Sequence, residues 1–249
     1  MFVSSVEFIR QNMPSTGMLA VGGPAFLAYS VTCLAFAGWL KRRYNWPTGY
    51  TRKIFHLLIF GMAAALHFAA GTRWVCLFGA IASMVIFFAV WQGEGHLLYE
   101  AMAREKDAPR RTRYIMIPYI ATLLGGVLSN VWFGPCAIAG YLVTGVADAI
   151  AEPVGTRFGR HPYRTLSASG VRADRTLEGS GAVLVASAAM LLLATQSAGL
   201  HVDVSMLYWG VPVGAVVCTG VEALSPHGWD NLTLQIVPSA FLFGLVHWA

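Results

Sequence analysis

The chain has 249 residues, 56% of them apolar and only 12% charged, with a mean hydropathy of +0.58. A soluble domain carries about 25% charge, so a soluble fold is excluded and a polytopic membrane protein is expected. The net charge of +5 and the pI near 9.2 do not point to nucleic acid as a partner, because the bases sit in short segments between apolar runs, the pattern of cytoplasmic loops.

Residues 1–18 contain Glu7, Arg10, Pro14 and Gly17. They read as a polar or interfacial lead-in rather than a cleavable signal peptide. The first predicted span, about 19–40, is followed by Lys41, Arg42 and Arg43. The second, about 54–70, opens on Tyr50-Thr51-Arg52-Lys53-Ile54-Phe55-His56. There Arg52 and His56 share a helical face and can reach a phosphate or a carboxylate; a topogenic base pair with an interfacial histidine is the plainer alternative. A third span, about 74–91, leads into a polar segment with Arg104, Lys106, Arg110, Arg111 and Arg113. The fourth and fifth spans, about 114–133 and 135–153, precede the richest segment of the chain. Spans at about 179–199, 204–224 and 232–248 complete a count of eight. Glu222, Pro226, Asp230 and Asn231 lie between the last two.

Fifteen of the 17 lysines and arginines fall in the first, third and fifth connections, and only Arg10 and Arg73 fall on the other side. The positive-inside rule places those connections in the cytoplasm and both termini outside. The expected fold is an all-α transmembrane bundle forming a single integral membrane domain over residues 1–249, with a cytoplasmic loop at 156–176. In a bacterium this is an inner-membrane protein. Cys33, Cys76, Cys136 and Cys218 lie in apolar runs without metal-ligand spacing, which indicates neither a disulfide framework nor a zinc site.

Gly145 to Ser180 holds four of the twelve acids and five of the seventeen bases. Asp148 and Glu152, four apart, share one helical face. Two carboxylates that close repel unless a cation sits between them. Magnesium takes one or two carboxylates and completes its shell with phosphate and water; pairing of each acid with a loop arginine is the alternative. Gly155 and Gly159 follow, and glycines there allow close approach of an anion or a positive-φ turn, or mark tight helix packing. Arg157, Arg160, His161, Arg164, Arg172 and Arg175 surround them. Arginine forks match phosphate oxygens, although some of these six serve only topology and lipid headgroups. Arg175-Thr176-Leu177-Glu178-Gly179-Ser180 opens the next span, where Thr176 can cap a helix whose free N–H groups favour phosphate. Acids for a metal, arginines for oxyanions and a helix start are the parts that phosphoryl or nucleotidyl transfer needs. No Walker A loop or protein-kinase signature occurs. Glu222 lies at the end of an apolar helix, and Asp230 or Asn231 is suited to cap the next one.

Four islands now stand in order: Arg52-Lys53-x-x-His56; Asp148 and Glu152 with Gly155, Gly159, Arg160 and His161; Arg175 through Ser180; and Glu222 and Pro226 with Asp230 and Asn231. With them the chain resembles the dolichol kinase and phytol kinase family of membrane lipid-alcohol kinases. That family includes CTP-dependent diacylglycerol kinases and is itself similar to the CDP-diacylglycerol synthases. The resemblance covers residues from about 50 to the C-terminus. It implies an enzyme that moves the γ-phosphate of CTP, with Mg2+, to a long-chain isoprenoid alcohol at the cytoplasmic face of the bilayer. Asp148 and Glu152 would hold the metal. Arg52, Arg160 and Arg175 would neutralise phosphate oxygens, with His56, Gly155, Gly159, His161, Thr176, Gly179, Ser180 and Asn231 completing the nucleotide site. Glu178 would order the loop or bind nucleotide. Asp230 or Glu222 would accept the hydroxyl proton or bind a second metal. The chain departs from the family pattern at Arg175, where lysine is common, at Ala147, where glycine is, and at Glu152, where aspartate is. A cytidylyltransferase making a CDP-lipid, and a non-enzymatic transporter or structural membrane protein, are the rival expectations. Trp132, Phe133, Trp209 and Trp229 serve equally as interface anchors or as pocket contacts.

Overall fold

A computed structural model describes residues 5–165, 174–197, 200–226 and 228–247. Among the described residues, six helical segments are long and apolar enough to cross a membrane: Thr16–Tyr44, Thr48–Ala69, Thr72–Gln92, Arg111–Phe158, Leu177–Ala194 and Val204–Leu224. The protein is therefore a multi-pass, predominantly helical membrane protein. The sequence offers no linker, yet the helices group into two compact units, one up to Met116 and one from Ile117 onward.

The first unit holds α1 (Ser5–Asn12), α2 (Thr16–Tyr44), α3 (Thr48–Ala69), α4 (Thr72–Gln92) and the single turn α5 (Leu97–Glu100). The Ser15 side chain caps α2 by accepting from Met18 N at 3.3 Å. Asn45 ends α2 in the left-handed region, φ 51°, which asparagine tolerates better than most residues. Lys41, Arg42 and Arg43 occupy that last turn, where cations oppose the exposed carbonyl end of the helix. Leu34, Ala37, Phe55, Val85, Ala89 and Tyr99 are buried together.

The polar segment after α4 is pinned by charge. Glu100 takes Arg111 at 2.7 Å and Lys41 at 3.3 Å, and Lys41 also meets Glu105 at 2.6 Å. Burial pushes the Glu100 carboxyl up, but hydrogen bonds from Arg111, the Gly95 N–H and Lys41 outweigh it and hold the pKa at about 2. Lys41 and Arg111 are thus partners of carboxylates in the fold.

α6 (Arg111–Phe133) runs into the second unit. Gly134, at φ 51°, and a 3-10 turn over Gly134–Cys136 interrupt the helical run. It resumes as α7 (Ala137–Leu142), widens into a π-helical turn over Val143–Asp148, and continues as α8 (Ala149–Phe158). The whole run has 48 residues, about 72 Å if straight, against an apolar layer of about 30 Å. The predicted fourth and fifth spans fall on either side of Gly134. Beyond the all-α expectation, part of the 156–176 loop folds as a short antiparallel ribbon. β1 (Pro162–Arg164) pairs with β2 (Asp174–Thr176) with Tyr163 opposite Arg175. Arg172 lies outside the described residues. Helices α9 (Leu177–Ala194), α10 (Val204–Leu224) and α11 (Asp230–His247) follow. α11, with Asp230, Asn231 and Gln235 in its first two turns, is not one of the six long apolar segments. All four cysteines are free thiols.

Candidate functional site

The ribbon is what joins the islands. Its second strand delivers Arg175 to the C-terminal end of α10 and the N-terminal end of α11. There Arg175 Nη1 lies 2.9 Å from Glu222 Oε1, and Nη2 lies 3.5 Å from Asp230 Oδ2. The side chains are 15%, 6% and 17% exposed respectively. Just after β1, the Thr165 hydroxyl donates to the Ala223 carbonyl at 2.8 Å, tying the other arm of the ribbon to the same helix end. One guanidinium therefore faces two carboxylates, and the cluster has a net charge of −1. Residues 47 and 55 positions apart in the chain meet here, and no local periodicity announces such a meeting.

The loop also closes on the start of α9. Thr176 caps that helix as expected, its hydroxyl accepting from Gly179 N at 3.1 Å. His161 Nδ1 and Glu178 Oε1 are 2.7 Å apart, and the His161 N–H donates to Glu178 Oε2 at 3.4 Å. The Tyr163 and Ser180 hydroxyls are 2.7 Å apart, and the Leu177 N–H donates to the His161 carbonyl at 3.1 Å. Glu178 thus orders the loop, one of its two expected roles. Ser180 shares its hydroxyl with Tyr163, a residue that sequence reasoning passed over.

The glycines act through space rather than through backbone angle. Neither Gly155 nor Gly159 is among the positive-φ residues, and Gly159 has φ −63°. Of the expected alternatives, a positive-φ turn or tight helix packing, the backbone angles and contacts here are those of packing. A Cβ on Gly155 would lie 2.8 Å from Thr176 Oγ1, one on Gly159 would strike the Gly155 carbonyl and Thr176, and one on Gly179 would lie 3.0 Å from the Ala151 carbonyl. Without side chains at these three positions, α8 comes directly onto the capped end of α9.

Asp148 is 4% exposed and closes the π-helical turn; Glu152 follows one turn later on α8 and is half-buried. A π turn inserted in an α-helix rotates everything after it by about 100°, one residue's worth. π turns of this kind recur at functional sites. Among the described residues no group of three or more His, Cys, Asp or Glu is placed to hold a metal ion. A two-carboxylate pair suits magnesium, which draws the rest of its shell from water and phosphate.

No protein-family model, no curated protein and no solved structure matches this chain. Its site is argued from its own residues.

Asn231 has a packing role besides the one expected of it. Its side-chain amide donates to Thr122 Oγ1 at 2.7 Å and to the Pro118 carbonyl at 3.4 Å, which binds α11 to α6 and occupies the amide N–H groups. It is Asp230 Oδ1 that accepts a backbone N–H at the helix start, from Asn231 at 3.0 Å. Arg157, Arg160 and Arg164 are exposed, and the Arg157 guanidinium lies over the Phe158 ring, 5.6 Å from its centroid. Arg52 and His56 belong to the first unit. There Arg52 is half-buried on α3, and the His56 ring lies 4.5 Å from that of Phe60. The second, third and fourth islands are thus brought together in one unit, while the first sits in the other. Trp132, Trp209 and Trp229 are 40%, 72% and 36% exposed, as fits interface anchors.

Proposed function

We propose that the chain is a lipid-alcohol kinase that transfers the γ-phosphate of CTP to a long-chain isoprenoid alcohol. The observation that carries this reading is the junction of three polar islands at one end of the second unit, with Arg175 held between Glu222 and Asp230. Convergence of separated charged groups at helix ends is what a site for a water-soluble nucleotide and a membrane-borne acceptor requires. It counts against a transporter, whose site lies near the bilayer midplane.

In this reading Asp148 and Glu152 hold the magnesium ion, which lowers the charge of the triphosphate when bound. The exposed Arg157, Arg160 and Arg164 attract the nucleotide to the loop. Arg175 is engaged by two carboxylates, so its first task is to orient Glu222 and Asp230. Of those two, Asp230 is the more exposed and is the better placed to take the hydroxyl proton. The alcohol oxygen forms its bond to the γ-phosphorus as the bond to the β-γ bridging oxygen breaks. CDP leaves, and the proton passes through Asp230 to solvent. The chain crosses the membrane eight times, Gly134 dividing the 48-residue run and α11 forming the last pass. The base-rich connections face the cytoplasm and both termini face the other side.

The test is incubation of purified protein with Mg2+, CTP labelled at the γ position and a panel of alcohols (phytol, farnesol, polyprenols, diacylglycerol). Label in the lipid is the expected result. Label recovered only as pyrophosphate makes the protein a cytidylyltransferase. Label left entirely in CTP with every acceptor refutes nucleotide chemistry with these substrates.

A further inference from the structure

Below Asp230, one face of α11 carries Asn231, Gln235 and Ser239 at intervals of four, and all three are buried. Polar side chains at such depth are costly in a membrane protein and mark function or helix association. Gln235 is 1% exposed, and its Nε2 donates to two carbonyls, Thr122 O at 3.0 Å and Asn231 O at 2.7 Å. That fixes the orientation of the amide, since a flipped group would set oxygen against oxygen. Its Oε1 is then a buried acceptor without a partner among the described residues. Asn130, on α6 and 6% exposed, repeats the arrangement. Its Nδ2 donates to the Gly126 carbonyl at 2.7 Å and meets the Tyr141 hydroxyl at 2.5 Å, while its Oδ1 has no partner among the described residues. The Ser129 hydroxyl, 1% exposed, also lacks one.

Gln235 Oε1 lies beside a missing side chain. Gly126 lies on the α6 face shared by Ser129 and Asn130, at i+3 and i+4. A Cβ there would lie 3.3 Å from Gln235 Oε1 and 3.7 Å from the Tyr141 hydroxyl. Gly126 itself is half-exposed, so the niche borders the surface of the unit. Leaving a buried acceptor unmet costs about 1–3 kcal/mol, and native proteins meet nearly all of them with protein groups or bound molecules.

We propose that the niche at Gly126, beside Gln235 and Tyr141, binds a hydroxyl group that donates to Gln235 Oε1. The hydroxyl comes from an ordered water or from a long-chain alcohol lying among the helices. The second source rests on the proposed kinase reading; the first does not.

The decisive comparison is Gly126→Ser against Gly126→Ala, read as the melting temperature of the full chain in detergent without nucleotide. Alanine has the higher helix propensity. The serine variant nevertheless gains a hydroxyl at the niche, and is expected to melt higher by about 2–4 °C, one hydrogen bond's worth in a chain of this length. An alanine variant as stable as the serine one, or more so, overturns the proposal. Farnesol and farnesyl methyl ether then separate the sources on the wild type. A melting shift with farnesol alone, lost in Gly126→Ala, assigns the niche to the lipid hydroxyl; equal effects of the two, with serine still above alanine, assign it to water. If neither variant is recovered folded, Gln235→Met takes their place: a farnesol-specific shift that survives it overturns the proposal, and loss of that shift supports it. Because no step involves phosphate transfer, a failed kinase assay leaves this outcome readable.

Discussion

Removing the charge of Arg175 is expected to destabilise the protein more than removing that of either partner. The cluster holds one cation and two anions, with side chains 15%, 6% and 17% exposed. In Arg175→Gln, Glu222 and Asp230 face each other across a neutral amide. Breaking a buried pair from one side costs about 3–5 kcal/mol, and partial exposure of Arg175 and Asp230 places this case near the lower end, about 3–4 kcal/mol. In Glu222→Gln a neutral pair, Arg175 with Asp230, remains, and the loss is about that of one hydrogen bond to a charged group, roughly 1.5–2 kcal/mol. Asp230→Asn, at the longer separation of 3.5 Å, costs under about 1 kcal/mol. At about 2–4 °C per kcal/mol for a chain of this length, the melting temperature falls by roughly 6–16 °C, 3–8 °C and less than about 4 °C. Thermal unfolding of purified protein in detergent, followed by size-exclusion fluorescence, reads all three. The double variant Arg175→Gln/Glu222→Gln should melt above Arg175→Gln alone, because one stranded carboxylate is gone. Glu222→Gln losing as much as Arg175→Gln, or no recovery in the double variant, refutes the charge reasoning.

Asp148→Asn and Glu152→Gln are each expected to lower transfer of γ-label from CTP to lipid at least about 100-fold, in protein that still elutes as a folded species; unchanged transfer removes these acids from the site. Gly155→Ala puts a methyl 2.8 Å from the capping hydroxyl of Thr176 and should cost about 1–3 kcal/mol. Gly181→Ala, with nothing within 4 Å among the described residues, should be neutral or stabilising by up to about 1 kcal/mol, and the difference between the two melting curves measures the cost of the close contact. Glu100, held at about 2 against an ordinary 4.5, adds stability that is fully present above the ordinary value and is lost as pH falls through about 2. The advantage of wild type over Glu100→Gln should therefore shrink steadily as pH is lowered across that interval, which acid-unfolding curves of the two proteins measure.

Much of the architecture was legible because the bilayer imposes a simple rule: a spanning helix must be long and apolar, and cations gather on one side. Eight spans are expected from that rule, and six helical segments of the required length and hydropathy stand among the described residues; Thr176 as a cap follows from equally local chemistry, a hydroxyl three residues from the N–H it accepts. Local rules fail where a residue's role depends on distant partners. Gly155 and Gly159 can be read as turn glycines or as packing glycines, and it is the approach of Thr176 and Gly179 that decides for packing. Asn231 has the chemistry of a cap, but Thr122, 109 positions away, takes its amide. Tyr163 looks like one more loop aromatic until the ribbon sets it against Ser180.

By itself, then, the sequence determined that this is a membrane protein of long apolar helices with an acidic helix end and a basic loop, since hydropathy and charge are additive along the chain. Tertiary structure alone decided that Arg175 lies between Glu222 and Asp230, and that the acceptor of Gln235 lies beside a bare glycine. A π turn shifts the helix phase by a residue, a three-residue ribbon turns a loop back on itself, and which charges meet depends on those displacements rather than on spacing.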